Sequence, residues 1–70
     1  MRHLGGIMKT FNITAQIYDK NDIYKQSIFM NEIVMALCDN DAKHIFENIY
    51  SKTHQILKIY SVEEIIQVAS

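Results

Sequence analysis

The chain reads as a small α+β domain of order ββαβ, a three-stranded sheet, mixed or antiparallel, with one helix on one face. Three observations predict this class. Lys9–Tyr18 alternates apolar and polar residues with period two, the pattern of a half-buried strand. Ala42, Ile45, Phe46, Ile49 and Tyr50 recur at helical spacing directly after Asp39-Asn40-Asp41. Gln55–Ser61 then returns to alternation. Seventy residues leave room for one domain. Met8-Lys9 begins the regular pattern, so residues 8–70 form the domain and residues 1–7, with Gly5-Gly6, read as a flexible leader.

In the first strand Phe11, Ile13, Ala15 and Ile17 share one face, and Thr10, Asn12, Thr14, Gln16 and Tyr18 share the other. Asp19-Lys20-Asn21-Asp22 follows as a polar turn whose side chains can cap local backbone groups, so a hairpin is expected. The run Ile23–Cys38 reads as the partner strand, although it is long for one. Ile28, Met30, Val34 and Ala36 share a face only if Glu32 points the same way. A bulge or bend near Asn31-Glu32 would let that charge leave the core. A helix is the rival reading, because Ile23, Ser27, Met30, Val34 and Leu37 also fit a 3.6-residue period.

Asp39-Asn40-Asp41 is a helix-start signal, with carboxylates beside the positive end of the helix dipole. In the third strand Leu57 and Ile59 are expected to face the helix, and Ile56, Lys58 and Tyr60 to face away. Ser61-Val62-Glu63-Glu64 has the form of a capping box, so residues 62–69 form either a short terminal helix or an added edge strand. A connection from the second strand through a helix to the third is the connection of a right-handed parallel crossover, which makes a mixed sheet the simplest layout.

The composition narrows the function. Hydrophobic residues make up 49% of the chain and charged residues 21%, a globular balance. Seven Lys and Arg against eight Asp and Glu leave a net charge of −1, without the basic cluster that strong phosphate-backbone binding needs. A domain this short has a marginal core and usually recruits a disulfide, a metal or a partner. One cysteine excludes an internal disulfide, and no Cys and His set has zinc spacing. A partner or a second copy, a homodimer above all, is therefore the expected support. The lone cysteine, the lack of a signal-peptide pattern and the lack of an apolar run of membrane length point to a cytoplasmic protein with no membrane role.

No catalytic constellation is visible, so the chain reads as non-enzymatic and without a cofactor. Asp41 and His44 lie three apart on the helix but lack converging ligands. His3 and His54 are isolated. Cys38 precedes the helix, but the neighbouring carboxylates oppose a thiolate there. The informative surface is the sheet face away from the helix. Tyr18, Ile56, Lys58 and Tyr60 are expected on it, with Tyr24 joining them, as anchors for a protein partner. Open sheet edges add a second means of association. The alternative is a single-stranded nucleic-acid platform, with tyrosines stacking bases beside Lys58.

In layout, Lys9–Tyr18, Asp39–Tyr50 and Gln55–Tyr60 together resemble the hairpin–helix–strand core of small phage and mobile-element accessory proteins, such as anti-CRISPR proteins and phage antitoxins. The resemblance is one of topology across residues 9–61 and carries no diagnostic motif or functional residue. It implies a binding protein that inhibits or regulates a larger host assembly.

Overall fold

The computed structural model describes residues 8–66, so the proposed leader and the last four residues lie outside the described part. Its elements run β1 (Lys9–Asp19), β2 (Ser27–Ala36), α1 (Asp39–Tyr50) and β3 (His54–Ile65). The sheet order is β2-β1-β3, and both pairings of β1 are antiparallel. β2 and β3 therefore run in the same direction with β1 between them. The helical crossover is kept, but it passes over β1 instead of joining neighbours, and the sheet is antiparallel throughout.

The alternation of β1 is realised residue by residue. Phe11, Ile13, Ala15 and Ile17 are fully buried beneath α1, and the intervening polar residues line the outer face. Val34 and Ala36 of β2 and Ala42 and Phe46 of α1 complete the core. Ala42 has no bulk beyond its Cβ, which lets the first helical turn sit close to the sheet. Phe46 is the largest fully buried side chain, and Tyr50 packs on it one turn later with ring centroids 5.0 Å apart. Ile49, placed on the apolar stripe by its spacing, remains 53% exposed at the rim.

The helix starts where the acidic signal lies. Cys38 is the extended residue before the first turn, and its carbonyl accepts the first helical bond from Ala42 N–H at 2.9 Å. The Cys38 side chain makes no capping bond. Asp41 instead reaches back, its Oδ2 accepting from Leu37 N–H at 3.1 Å, while Asp39 Oδ1 accepts from Asn40 N–H. The carboxylates thus satisfy backbone donors at the positive end of the helix dipole.

The hairpin connection is longer than the polar turn implied. β2 begins at Ser27, and Ile23 and Tyr24 belong to the loop. Two aspartates organise that loop. Asp19 Oδ1 accepts from Asn21 N–H, and Asp22 accepts from both Tyr24 and Gln26 N–H. Lys25 completes the reversal with a positive φ of 52°. The helical alternative for this stretch is excluded from Ser27 onward by its ten-residue pairing with β1.

Two expectations about bends exchange places. β2 pairs with β1 without interruption, so Glu32 does face the helix side, opposite Ile13. Its charge is met by the Tyr50 hydroxyl, which donates to Oε1 at 2.7 Å. The irregularity falls in β3 instead. Thr14 and Ala15 face Ser61 and Ile59, leaving Tyr60 without an opposite residue, and Gln16 and Ile17 face Lys58 and Ile56, skipping Leu57. Two such insertions turn a period of two into a period of three, and Ile56, Ile59 and Val62 all pack on the core. The expectation that Ile56 faces away from the helix is thus corrected, as is the inward placement of Leu57, which is half exposed.

β3 also continues through the capping-box sequence to Ile65, with Val62 opposite Ile13 and Glu63 opposite Asn12. Pairing with an existing strand satisfies these backbone groups better than an isolated terminal helix would. Residues 67–69 of that proposed helix lie outside the described part.

With so few buried side chains, the core depends on Phe46, its largest fully buried side chain. Phe46→Ala is expected to cost about 3–5 kcal/mol, measured as a shift in urea-denaturation free energy. A loss below about 1 kcal/mol would show that the helix is not held by this contact.

Candidate functional site

The outer face of the sheet carries three strands' worth of uncovered side chains. β1 contributes Thr10, Asn12, Thr14, Gln16 and Tyr18, all partly buried by their neighbours. On β2 the residues opposite them are Met35, Ile33, Asn31, Phe29 and Ser27. On β3 they are Ile65, Glu63, Ser61, Lys58 and Gln55. Phe29, Ile33, Met35, Tyr60 and Ile65 are all exposed large apolar residues. They form a surface of the kind that a chain acting alone seldom leaves open.

A side-chain network holds this face in shape. The Tyr60 hydroxyl donates to Gln16 Oε1 at 3.0 Å, and Gln16 Nε2 donates to Ser27 Oγ at 2.8 Å. The three strands are thereby tied together across their outer surface. Thr14 Oγ1 donates to Asn31 Oδ1 at 2.7 Å one pair further along. Tyr60 reaches over Gln16 because the bulge aims it there, and its ring lies 5.5 Å from that of Phe29. Lys58 Nζ stands 5.0 Å from the centre of the same Tyr60 ring. Phe29 remains 67% exposed and Tyr60 46% exposed, so the aromatic pair is braced from below and open above.

Of the residues singled out from the sequence, Tyr18, Lys58 and Tyr60 do share this face. Ile56 lies on the opposite side, against the core. Tyr24 stands apart in the loop, 83% exposed. The structure adds Phe29 and Gln16, which the sequence reading passed over. Both signals were present. Gln16 sits on the polar side of β1, and Phe29 is out of phase with Ile28 and Met30.

The ionisable residues do not converge. Among the described residues no group of three or more His, Cys, Asp or Glu side chains could hold a metal ion. His44 approaches Glu47 at 3.7 Å on the exposed helix face, not Asp41. His54 packs edge-on against Tyr50, ring centroids 5.7 Å apart. Cys38 is exposed beside an open hollow of about 250 Å³, lined by Lys9, Phe11, Cys38, Asp39, Val62 and Glu64. The hollow has two carboxylates and one ammonium among its lining residues. Among the described residues no helix is long and apolar enough to cross a membrane.

No protein-family model matches the chain, and searches of curated proteins and of solved structures return no match.

One displaced titration among the described residues is structural. Tyr50 is held above its usual value near 10, first by its hydrogen bond to Glu32, then by burial and by the Glu32 charge. A raised folded-state value means that the neutral phenol stabilises the fold. That stabilisation is complete below pH 10 and is lost as pH rises through the higher folded value. Glu32→Gln removes the charge and is expected to lower the Tyr50 transition in an ultraviolet titration. An unchanged titration would mean that the contact is not formed in solution.

Proposed function

We propose that this chain is a non-catalytic protein-binding module that acts through the helix-free face of its sheet and through its open edge. The observation that carries the reading is the braced aromatic pair, Phe29 and Tyr60, set among Ile33, Met35 and Ile65 on a face that none of the described residues covers. Tyrosine and other aromatic residues fixed by neighbours lose little entropy on binding and are the common anchors of interfaces. Tyr60 meets that condition through Gln16, and Tyr18 lies further along the same face. Lys58 supplies a cation at its margin. An inhibitory or regulatory role against a larger host assembly belongs to this proposal, as does a cytoplasmic location. Their support is the layout resemblance and the composition set out above.

One observation favours a second reading. A lysine beside an exposed tyrosine is the pairing that stacks and neutralises single-stranded nucleic acid. The strand positions of the outer face offer Lys58 as their only cation, however, and Glu63 stands on the same face. Backbone tracking needs several cations along a path.

The expected outcome of affinity capture from the native host is a protein bound by the wild type and reduced at least tenfold by Tyr60→Ala, roughly the effect of losing one anchoring aromatic. Capture unchanged by both Tyr60→Ala and Tyr18→Ala would overturn the reading. Fluorescence anisotropy with single-stranded oligonucleotides should show no binding even at low salt. Binding that weakens steeply with added salt would establish the nucleic-acid reading in its place.

A further inference from the structure

The two edges of the sheet differ in kind. The β3 edge is interrupted at Leu57 and Tyr60 and carries Lys58, Glu63 and Glu64. Bulges and charges are what protect a sheet edge from adding another strand. The β2 edge has no bulge and a single charge. Its ten residues run in unbroken register against β1, contain no proline, and include Glu32 as their only charge. That carboxylate is already engaged by Tyr50. Among the described residues no strand pairs with the outer side of β2, so it presents a row of unpaired backbone N–H and C=O groups between apolar side chains.

We infer that the β2 edge pairs antiparallel with the β2 edge of a second copy of this chain, about a twofold axis at Asn31, joining two sheets into one of six strands. The inference rests on the binding-module reading and names the occupant of its open edge. Elementary geometry limits the choices. Only a twofold axis normal to the sheet sets two copies of one edge strand side by side and antiparallel. That axis keeps both helices on one face, so outer-face residues must meet outer-face residues.

The axis at Asn31 makes β2 complementary to itself. Phe29 faces Ile33 of the partner subunit on the outer side, and the reverse pair repeats it. On the helix side Ile28 faces Val34 of the partner subunit. Ile28 is 55% exposed within one copy, because α1 does not cover it. Met30 faces the partner's Glu32, which leaves the two Glu32 residues as diagonal neighbours, roughly 7–8 Å apart. Asn31 faces itself. Its Oδ1 accepts from Thr14, and among the described residues its side-chain amide hydrogens have no acceptor, so they are available to the partner's Asn31.

Neighbouring registers lose this match. Sliding the axis to Glu32 sets the two carboxylates directly opposite one another, which is destabilising. Sliding it to Met30 places Phe29 against the partner's Asn31 and Ile28 against the partner's Glu32. Moving it to Ile33 sets Asn31 against the partner's Met35. The apolar and polar positions of β2 thus select one pairing with a second copy, which a generic foreign strand would have no reason to match.

Sedimentation of the full chain is expected to give a dimer, with Ile33→Lys weakening it at least tenfold while circular dichroism stays unchanged. Cross-linking tests the register independently of the mass. On a Cys38→Ser background, Asn31→Cys should form an intermolecular disulfide under mild oxidation, since directly opposed strand residues lie within disulfide reach. Met35→Cys on the same background should not, because its two copies would lie roughly 26 Å apart along the strands. A monomer at about 100 μM, where even a weak specific dimer would form, would overturn the inference. So would a dimer indifferent to Ile33→Lys, or equal cross-linking at both positions. A monomer that still captures a partner through Tyr60 overturns this inference alone. A dimer cross-linked through position 31 that captures nothing else supports it and overturns the binding-module reading.

Discussion

One short helix has to cover a sheet of three strands, and that mismatch of areas governs the molecule. A helix of twelve residues is about 18 Å long. The buried stretch of β1, Phe11 to Ile17, spans about 20 Å. The two lengths agree, and beyond them Lys9 and Asp19 are exposed. Width imposes the same limit. A helix roughly 10 Å across matches the separation of the outer strands, about 10 Å, so their inner faces are shielded only in part. Burial is complete on β1, reaches Val34 and Ala36 on β2, and is partial at Ile56, Ile59 and Val62 on β3.

The remaining features answer to that limit. Among the described residues the far side of the sheet has no covering layer, so its polar side chains satisfy one another across strands, and Tyr60 is drawn over Gln16. At the helix end, the chain is held to the sheet by polar contacts where apolar cover runs out. Tyr50 ties α1 to Glu32 of β2. Lys20 binds the turn after the helix twice, its N–H donating to Thr53 O and its ammonium to Ser51 O. A carboxylate that looked misplaced among apolar residues thus fastens the helix to the strand it would otherwise overhang.

β1 and α1 were legible in the sequence because each obeys one period from end to end. The element order was legible for the same reason. β3 was not, since Ile56, Ile59 and Val62 keep to one side only by inserting Tyr60 and Leu57 between paired residues. Period-two reading presumes that every residue has an opposite. The three-residue spacing of those apolar positions was the available sign, and in a strand it signifies bulges. Glu32 was ambiguous because its partner, Tyr50, lies eighteen positions away and only the fold brings them together. The capping-box pattern after Ser61 was a local preference overridden by pairing with Thr10–Ile13. The candidate face was found through Tyr18, Lys58 and Tyr60. Phe29 was missed because it comes from another strand and its value lies in meeting Tyr60.

The doubly kinked third strand has a consequence for stoichiometry. A sheet with two equivalent margins can lengthen without limit, each added chain offering a fresh margin to the next. Here the kinks at Leu57 and Tyr60 spoil one margin as a template. In the proposed pairing the chain would be univalent in the hydrogen-bonding direction, and once its single valence was used, only kinked margins would face outward. Polymerisation by that route would end at its first step, which would make a lightly guarded strand tolerable in so small a chain.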